Sequence, residues 1–586
     1  MKSSSRSRVL VVVLLSALAA GCPQSSSGGR AELVARNLGL AAVELAGAGD
    51  LWLISVSEAS SGATDLNGDG DALDVVLHVY DPSAGSVSNL ELAASQPASE
   101  PRDVVPPPIP QFERTHAAFF VEESAQGALD LDGDGDADGD ALHVYDAATS
   151  TVHAIEHAVL ASGTAGVALS GDFLACAVSE LEEGADLSGN GSAGDSALLV
   201  TNLATGIGGF LPVELGSLAL RIADGRVGFH AAESSASGDL NGDLDMDDPA
   251  VFQLYDLATG ELSNTWLATT GEPPLVAGGT WTVVVSESDQ GGNDLNGDGD
   301  ALDWIQHVHD PVSGLSTNLG IASLFFPSVE ADGALILADD ESRSGRDKNG
   351  DGDAFDGVLV VVDPVAPRTL DTQLAVPGGA GNLAVVGDLI GFTVSEAAQG
   401  STDLDLDGDA EDAVVHVHDL RFERTTNLGV DALWLAGTHG HLLLLREEWR
   451  SGLDWNGDGD REDRVLHVWD MRARRTWNSG WSVLAPFSAG SANAVLLTYE
   501  LEQGRDLNGD GDDEDVVPVF FEPSARRATS LGHAVRQAEL AGPATVLVLV
   551  DERSQGEDLN GDGDLEDGVV HDFRRGTIAR ETSANH

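Results

Sequence analysis

The chain has 586 residues, with 97 Asp and Glu against 30 Lys and Arg and a formal charge of −67. A surface this acidic excludes nucleic acid as a partner, because a polyanion is held by cationic side chains. Apolar residues make up 42% of the chain and glycine accounts for 69 positions, enough for packed cores but with a turn density that points away from long helices and from an unfolded acidic chain.

The first element in chain order is a targeting segment. Lys2, Arg6 and Arg8 precede the apolar run Val9 to Leu18, and Ala19-Ala20-Gly21-Cys22 follows. This resembles a bacterial lipoprotein signal, although that family favours Leu where Ala19 sits. The resemblance implies cleavage before Cys22, a lipid on its thiol, and export to the cell envelope, with the outer membrane or cell surface as the location and the membrane itself as a partner through the anchor. Residues 1–21 then form the signal and residues 22–31 the lipidated cysteine and a flexible tether, in which Pro23 to Gly29 (PQSSSGG) is polar and turn-rich. Nothing after residue 21 is apolar for long enough to cross a bilayer as a helix. Cys176, the only other thiol, lies in the apolar run Phe173 to Val178 and reads as a small buried residue, so no internal disulfide is expected.

Residues 32–586 are a tandem array. The pattern Asp-x-Asn-Gly-Asp-Gly-Asp-x-x-Asp opens, with variations, at Asp65, Asp130, Asp186, Asp239, Asp294, Asp347, Asp403, Asp454, Asp506 and Asp558. The long first interval carries a Pro-rich insertion, Pro97 to Pro110, expected to be a surface excursion. Repeat seven shows the unit. Asn382 to Val386 and Leu389 to Ser395 are two short apolar runs before the loop, and Val414 to Asp419 and Arg424 to Leu428 are two more after it. Four β-rich runs separated by Gly and Asp turns predict a four-stranded antiparallel sheet. Hairpins such as Asp256 to Gly260 and Asp310 to Gly314 join the third run to the fourth, with Gly at the positive-φ position.

A unit of about 50 residues with four strands cannot bury both faces alone, and stacking in a ring or a row is the solution. The hairpin resembles the third-to-fourth strand hairpin of many β-propeller blades. The expected fold is therefore all-β, a propeller of about ten four-stranded blades, with two five-bladed rings or an open β-solenoid as alternatives. The fifth-to-sixth interval has no linker composition, which favours one ring. Leu33 to Leu38 (LVARNL) resembles a fourth strand and is placed to close the circle on the last unit.

The repeated loop points to metal chemistry. Carboxylates about 4 Å apart repel by about 1 kcal/mol per pair even in water, and hard oxygen donors at alternate positions of a tight turn suit Ca²⁺. Asp65, Asn67, Asp69 and Gly70 match the D-x-N-x-D-G core of EF-hands, dockerins, thrombospondin type 3 repeats and the FG-GAP blades of integrin α-chain propellers, and this resemblance implies Ca²⁺, in up to about ten copies. The candidate ligands of the first repeat are Asp65, Asn67, Asp69, Asp71 and Asp74, and of the second Asp130, Asp132, Asp134 and Asp136. The fourth offers Asp239, Asn241, Asp243, Asp245 and Asp248, and the fifth Asp294, Asn296, Asp298, Asp300 and Asp303. In the sixth they are Asp347, Asn349, Asp351, Asp353 and Asp356, and in the seventh Asp403, Asp405, Asp407, Asp409 and Asp412. The eighth has Asp454, Asn456, Asp458, Asp460 and Asp463, and the ninth Asp506, Asn508, Asp510, Asp512 and Asp515. Asp558, Asn560, Asp562, Asp564 and Asp567 belong to the tenth.

The departures from the EF-hand pattern matter. Position twelve, where an EF-hand has a bidentate Glu, carries Val76, Ile305 and Val465. A Glu instead precedes every loop by six or seven residues, as Glu58, Glu180, Glu448 and Glu552 do. It either supplies the missing carboxylate or accepts hydrogen bonds from loop amides. Repeat three (Asp186, Ser188, Asn190, Ser192, Asp195) has too few carboxylates for tight binding, and Leu244 stands where repeat four needs Gly, so strain is expected there.

Other chemistry is weaker. His78, His143, His307, His416, His467 and His571 recur thirteen residues after their loop openings and read as strand-face histidines. No G-x-S-x-G, H-E-x-x-H or phosphate-cradling loop is present. Six of the ten tryptophans (434, 449, 455, 469, 477 and 481) fall close to Arg472, Arg474 and Arg475. They suit a carbohydrate or an acidic protein ligand, or packing between blades, and packing is the expected role. The functional expectation is a cell-surface binding or scaffold protein with no catalytic residues. The alternative is a metal-dependent hydrolase or lyase that uses the propeller channel, which non-repeating acid, base and cation residues at the channel would favour.

Overall fold

The computed structural model describes residues 33–575 apart from 96–110, 114, 163–164, 235–236, 323–328, 378–381 and 544. The signal at 1–21, Cys22, the tether to residue 31 and the Pro-rich insertion lie outside the described residues. Blade seven is typical, with antiparallel strands Leu383–Val386, Leu389–Ser395, Ala413–Asp419 and Arg424–Asp431 hydrogen-bonded in chain order. Its second and third strands are buried along almost their whole length because both faces of the sheet meet a neighbouring blade. That is why they read as continuous apolar runs, whereas the outer fourth strand is only partly covered.

Ten such blades are built from nine hydrogen-bonded sheets among the described residues. Two blades share one sheet because strand Leu33–Ala48 is used twice. Its first half pairs with the last blade, from Leu33 opposite Arg575 to Asn37 opposite His571. Its second half pairs with the second strand of blade one, from Ala42 opposite Val56 to Ala48 opposite Leu51. The run Leu33 to Leu38 thus closes the circle as expected.

The apolar cores lie between blades. Leu51 and Leu53 of blade one pack on Ala117 and Phe119 of blade two. Val308 of blade five packs on Leu335 and Leu337 of blade six, and Leu547 and Leu549 of blade ten pack on Trp52 and Ile54 of blade one. Blade five meeting six and blade ten meeting one exclude two five-bladed rings and an open solenoid. Cys176 is fully buried in the core between blades two and three, and burial pushes its thiol up to about 12.

Two local features depart from the sequence reading. In five blades the residues after the second strand form one turn of α-helix, Glu180–Glu183, Glu341–Ser344, Glu448–Ser451, Glu500–Gln503 and Glu552–Gln555. Each ends on a left-handed glycine such as Gly184 (φ 62°). Pairing of the third and fourth strands also slips at one point, between Val76 and His78 in blade one and between Val414 and His416 in blade seven. This β-bulge adds local twist to the outer edge of the blade. The antiparallel order puts all acidic loops on one face of the ring, the third-to-fourth strand hairpins on the other, and the first strands around the central channel.

Candidate metal centres

Each acidic loop is held from below by the Glu that precedes it. The amide of Glu58 donates to the carbonyl of Asp74 at 2.9 Å, and the amide of Asp74 donates back to Glu58 Oε2 at 3.0 Å. Glu58 Oε1 accepts the amides of Leu66 and Asn67. The pattern recurs at Glu123, Glu287 and Glu396, all fully buried. The hydrogen-bonding role expected of this Glu is thus met, and a carboxylate oxygen from each of Glu58, Asp71 and Asp74 also lies within 4.8 Å of the others, a spacing that could hold a metal ion.

Within the loop every acidic position turns its backbone. Asp65 accepts the amides of Gly68 at 2.6 Å and Gly70 at 3.2 Å, one on each oxygen. Asp69 and Asp71 each accept, through Oδ1, the amide two residues ahead at 3.0 Å. Gly68 (φ 81°) and Gly70 (φ 108°) permit the bend. In repeat four Leu244 takes the second of these positions at φ 88°, the strain expected from its sequence, and in repeat seven Leu406 takes the first at φ 69°, which the sequence reading did not single out.

The third position, a candidate ligand through its oxygen, also makes a contact that the sequence reading did not foresee. Asn67 Nδ2 donates to Asp74 Oδ2 and, at 3.0 Å, to the carbonyl of Ala125 in the next blade. Asn241, Asn296, Asn349 and Asn456 make the same reach, and Asn560 makes it to Ser60, from blade ten to blade one. Here Asn is a clasp between blades, which Asp132, Ser188 and Asp405 lack the amide to make. In repeat three Asn190 at the fifth position instead donates to Asp195 and Glu214, filling the loop with an amide rather than carboxylates.

Acidic groups converge in the same way in the loops of repeats two (Glu123, Asp130, Asp132), four (Glu233, Asp243, Asp245, Asp248), five (Glu287, Asp300, Asp303) and six (Glu341, Asp353, Asp356). Burial first, then neighbouring carboxylates, raise the carboxyl of Asp74 to about 6 and those of Asp248 and Asp463 to about 7. Asp132 is likewise raised to about 6. Several buried oxygens have no hydrogen-bond partner: Oε2 of Glu180, Glu233, Glu448 and Glu552, and Oδ1 of Asp195. All-oxygen donors with unpartnered buried atoms fit a hard divalent cation.

Supporting residues that the sequence reading missed come from elsewhere in the blade. Asn89 on the fourth strand donates to the carbonyl of Leu66 at 2.8 Å, and Asn318, Asn427 and Asn478 do the same for their loops. Gln126 accepts the amide of Ala93 in the preceding blade, as Gln290 and Gln399 do for Ala268 and Ala375. Their signal was available as a Gln three residues after the Glu and an Asn at a fixed place in the fourth strand. Arg450 of blade eight pairs with Asp412 of loop seven.

The histidines and tryptophans are structural. His78, His143 and His416 each place Nδ1 near the carbonyl two residues before, and burial lowers their pKa. Trp434, Trp477 and Trp481 pack on the core between blades eight and nine, and Trp469 is buried between seven and eight. Arg446, Arg505 and Arg526 cover Trp455, Trp481 and Trp477, not Arg472, Arg474 or Arg475. Trp434, Trp469, Trp477 and Trp481 thus serve packing, the role expected of the cluster, while Trp449 is exposed beside Arg450.

The channel is lined differently from the rim. Its innermost strands carry Glu44, Glu113, Arg221, Glu330 and Glu539 in blades one, two, four, six and ten, with no repeat relation. Burial raises the carboxyls of Glu44 and Glu539, and it lowers Arg221 against the opposing pull of Glu330.

No family model matches the chain, and no curated protein matches it. Among solved structures it resembles the tricorn protease at 10% identity, over 88% of this chain and 55% of that one, with a TM-score of 0.24. The β-propeller domain of the Trilobed protease from Pyrococcus furiosus matches at 11% identity over 64% of this chain and 95% of that one, TM-score 0.29. Dipeptidyl peptidase 4 from Porphyromonas gingivalis matches at 10% identity over 83% and 65%, TM-score 0.37. The chain thus spans about half the length of the tricorn protease, and the likeness is one of fold, with no catalytic residue carried over. All three are proteases or peptidases or a domain of one, which stands against the expected binding or scaffold protein, but at these identities the likeness itself is one of fold and assigns this chain no activity.

Proposed function

We propose that the protein is a hydrolase acting through the channel of a ten-bladed propeller whose acidic loops hold Ca²⁺ as structural ions, exported and tethered to a membrane by a lipid on Cys22. The observation that carries the reading is the division between rim and channel. Rim carboxylates sit at repeated positions and serve the loops, whereas the ionisable residues of the channel break the repeat. Groups whose pKa burial displaces, held in a concave site, are candidates for proton transfer, and Glu44 and Glu539 are the two such carboxyls here. Calcium, when bound, would be held by the carboxylates of each loop and would neutralise their mutual repulsion. Peptidase-bearing neighbours lean toward peptide bonds as the substrate class.

The test is a panel of fluorogenic peptide and ester substrates offered to the calcium-loaded chain. Hydrolysis that Glu44→Gln or Glu539→Gln reduces at least tenfold, with calcium stoichiometry unchanged, would support the reading. A silent panel, or full activity in both variants, would overturn it.

A further inference from the structure

We infer that the hairpin face of blades eight to ten is a docking surface for an anionic phospholipid bilayer. The inference rests on the membrane tether of the proposed function and adds to it a second, electrostatic attachment. In a chain with only 30 Lys and Arg, the third-to-fourth strand hairpins of these blades carry Arg472, Arg474 and Arg475, then Arg526 and Arg527, and Arg575 lies at the corresponding end of the last blade. All six are exposed. The same hairpins in blades one, four and five, Asp81 to Gly85, Asp256 to Gly260 and Asp310 to Gly314, hold no cation.

Two acids lie among these arginines: Asp470, whose carboxylate accepts the amides of Arg472 and Ala473 in its own hairpin, and Glu522. Glu522 takes Arg527 and Arg575, while Arg472, Arg474 and Arg475 make no ion pair among the described residues. The first-to-second strand turns on the same face are Thr438 to Gly440 in blade eight and Gly490 to Asn493 in blade nine, where blades four, six and seven have Asp224, Asp332 and Asp388. The acidic loops lie at the far ends of seven-residue third strands such as Arg464–Asp470, about 23 Å away at the rise of a β-strand. That exceeds two Debye lengths at physiological ionic strength, about 8 Å each, so the rim charge is screened from a surface laid on the hairpins.

Chain direction selects a membrane over other polyanions. Leu33 pairs with Arg575, so the chain enters the fold at this face, beside the arginines. Cys22 is eleven residues earlier, a reach of at most about 40 Å, which holds this face near any bilayer the lipid occupies. A flexible nucleic acid would instead be repelled as it extended toward the rim.

The experiment measures partition of the full chain onto phosphatidylcholine vesicles with and without a quarter of phosphatidylglycerol. An anchor inserts into both, so the ratio between the two reads the arginines. The parent chain should prefer the anionic vesicles, and Arg472→Gln/Arg474→Gln/Arg475→Gln should lower that preference on the order of 100-fold, at about fivefold per arginine. Replacing the same three by Lys should retain it, and Arg553→Gln on the loop face should change nothing. Equal binding to both vesicles, an unchanged ratio in the Gln variant, or loss in the Arg553→Gln control would overturn the inference. A Lys variant as weak as the Gln variant would overturn it too, since it would mark a partner that reads the guanidinium fork. Mass spectrometry of Cys22 and the hydrolysis panel test the underlying reading separately, because neither enters the vesicle ratio.

Discussion

Tyr80 Oη donates a 2.7 Å hydrogen bond to Asp572 Oδ2, joining the third strands of the first and last blades across 492 positions of sequence. Asp572 is fully buried and also accepts from Arg36 Nη2 and Arg574 Nε, each at 2.8 Å. At the same place in other third strands stand Val79, Val144, Val308, Val417 and Val468. A buried acid replaces valine only where the ring must close, and its three partners come from the N-terminal strand and from both blades of the seam. Burial, with the neighbouring Asp572, pushes the Tyr80 hydroxyl up to about 12.

Removing that acid should weaken the seam more than removing its neighbour. Asp572→Ala leaves two guanidinium groups and a hydroxyl without their partner, and breaking a buried pair from one side costs about 3–5 kcal/mol. Tyr80→Phe removes two hydrogen bonds, the one donated to Asp572 and the one accepted from Arg574 Nη2, and should cost about 2 kcal/mol. Urea unfolding followed by tryptophan fluorescence measures both. An Asp572→Ala chain as stable as its parent would mean that strand pairing alone holds the ring closed.

Much of this architecture was legible in residues that recur. The blade strands follow from apolar runs at fixed offsets from each Asp-rich loop, and the closing role of Leu33 to Leu38 followed from its likeness to a fourth strand. What stayed hidden depends on neighbours distant in sequence. Asn67 looks like a ligand in the loop pattern, and only the ring shows its amide reaching Ala125 in the next blade. Asp572 is invisible for the converse reason, since a single substitution in one repeat has no pattern to reveal it. For the six tryptophans packing was the expected role, but sequence shows only their proximity and not which core each enters, as Trp469 does between blades seven and eight.

The pH dependence of the ion-free protein should run opposite to that of the loaded one. Asp74, Asp132, Asp248 and Asp463 have carboxyls raised to about 6 or 7 from 3.8. The folded state then holds protons more tightly than the unfolded state, so the stability these groups give is complete below about pH 4 and is lost as pH rises through 6 to 7. In chelator, Tm should fall from pH 5 to pH 8. In excess Ca²⁺ the ion takes the place of the protons, and Tm should rise over the same range. Parallel profiles with and without the metal would show that these carboxylates do not meet the ion.

Leu244 offers a stabilising substitution. It is 92% exposed and held at φ 88°, a region that costs a residue with a Cβ about 1–2 kcal/mol. Leu244→Gly gives up no buried surface and should raise stability by about 1 kcal/mol, measurable as a shift of the thermal midpoint. Lower stability in the variant would show that its side chain makes a contact worth more than the strain.

Calcium itself should be the largest single source of stability. Linkage gives about 1.4 kcal/mol per site at ten times its dissociation constant, so ten sites would contribute on the order of 14 kcal/mol, comparable to the net stability of a typical domain. No disulfide compensates when the ion leaves, because Cys176 is buried and unpaired, and each loop keeps its crowded carboxylates. Chelation should lower Tm by tens of degrees, and Ca²⁺ should restore it more readily than Mg²⁺, which demands a tighter octahedron and gives up its water reluctantly. Asp298→Ala should remove one ion from the stoichiometry measured by equilibrium dialysis. Asp186→Ala should change little, because the amide of Asn190 already occupies Asp195 of that loop and Glu214 of the fourth strand. Coupling through Asn296, which joins loop five to the carbonyl of Arg343 in blade six, should make Asp298→Ala also weaken the sixth site. A melting curve indifferent to chelator would mean that the loops are held by their own amide hydrogen bonds and that the carboxylates serve something other than a metal.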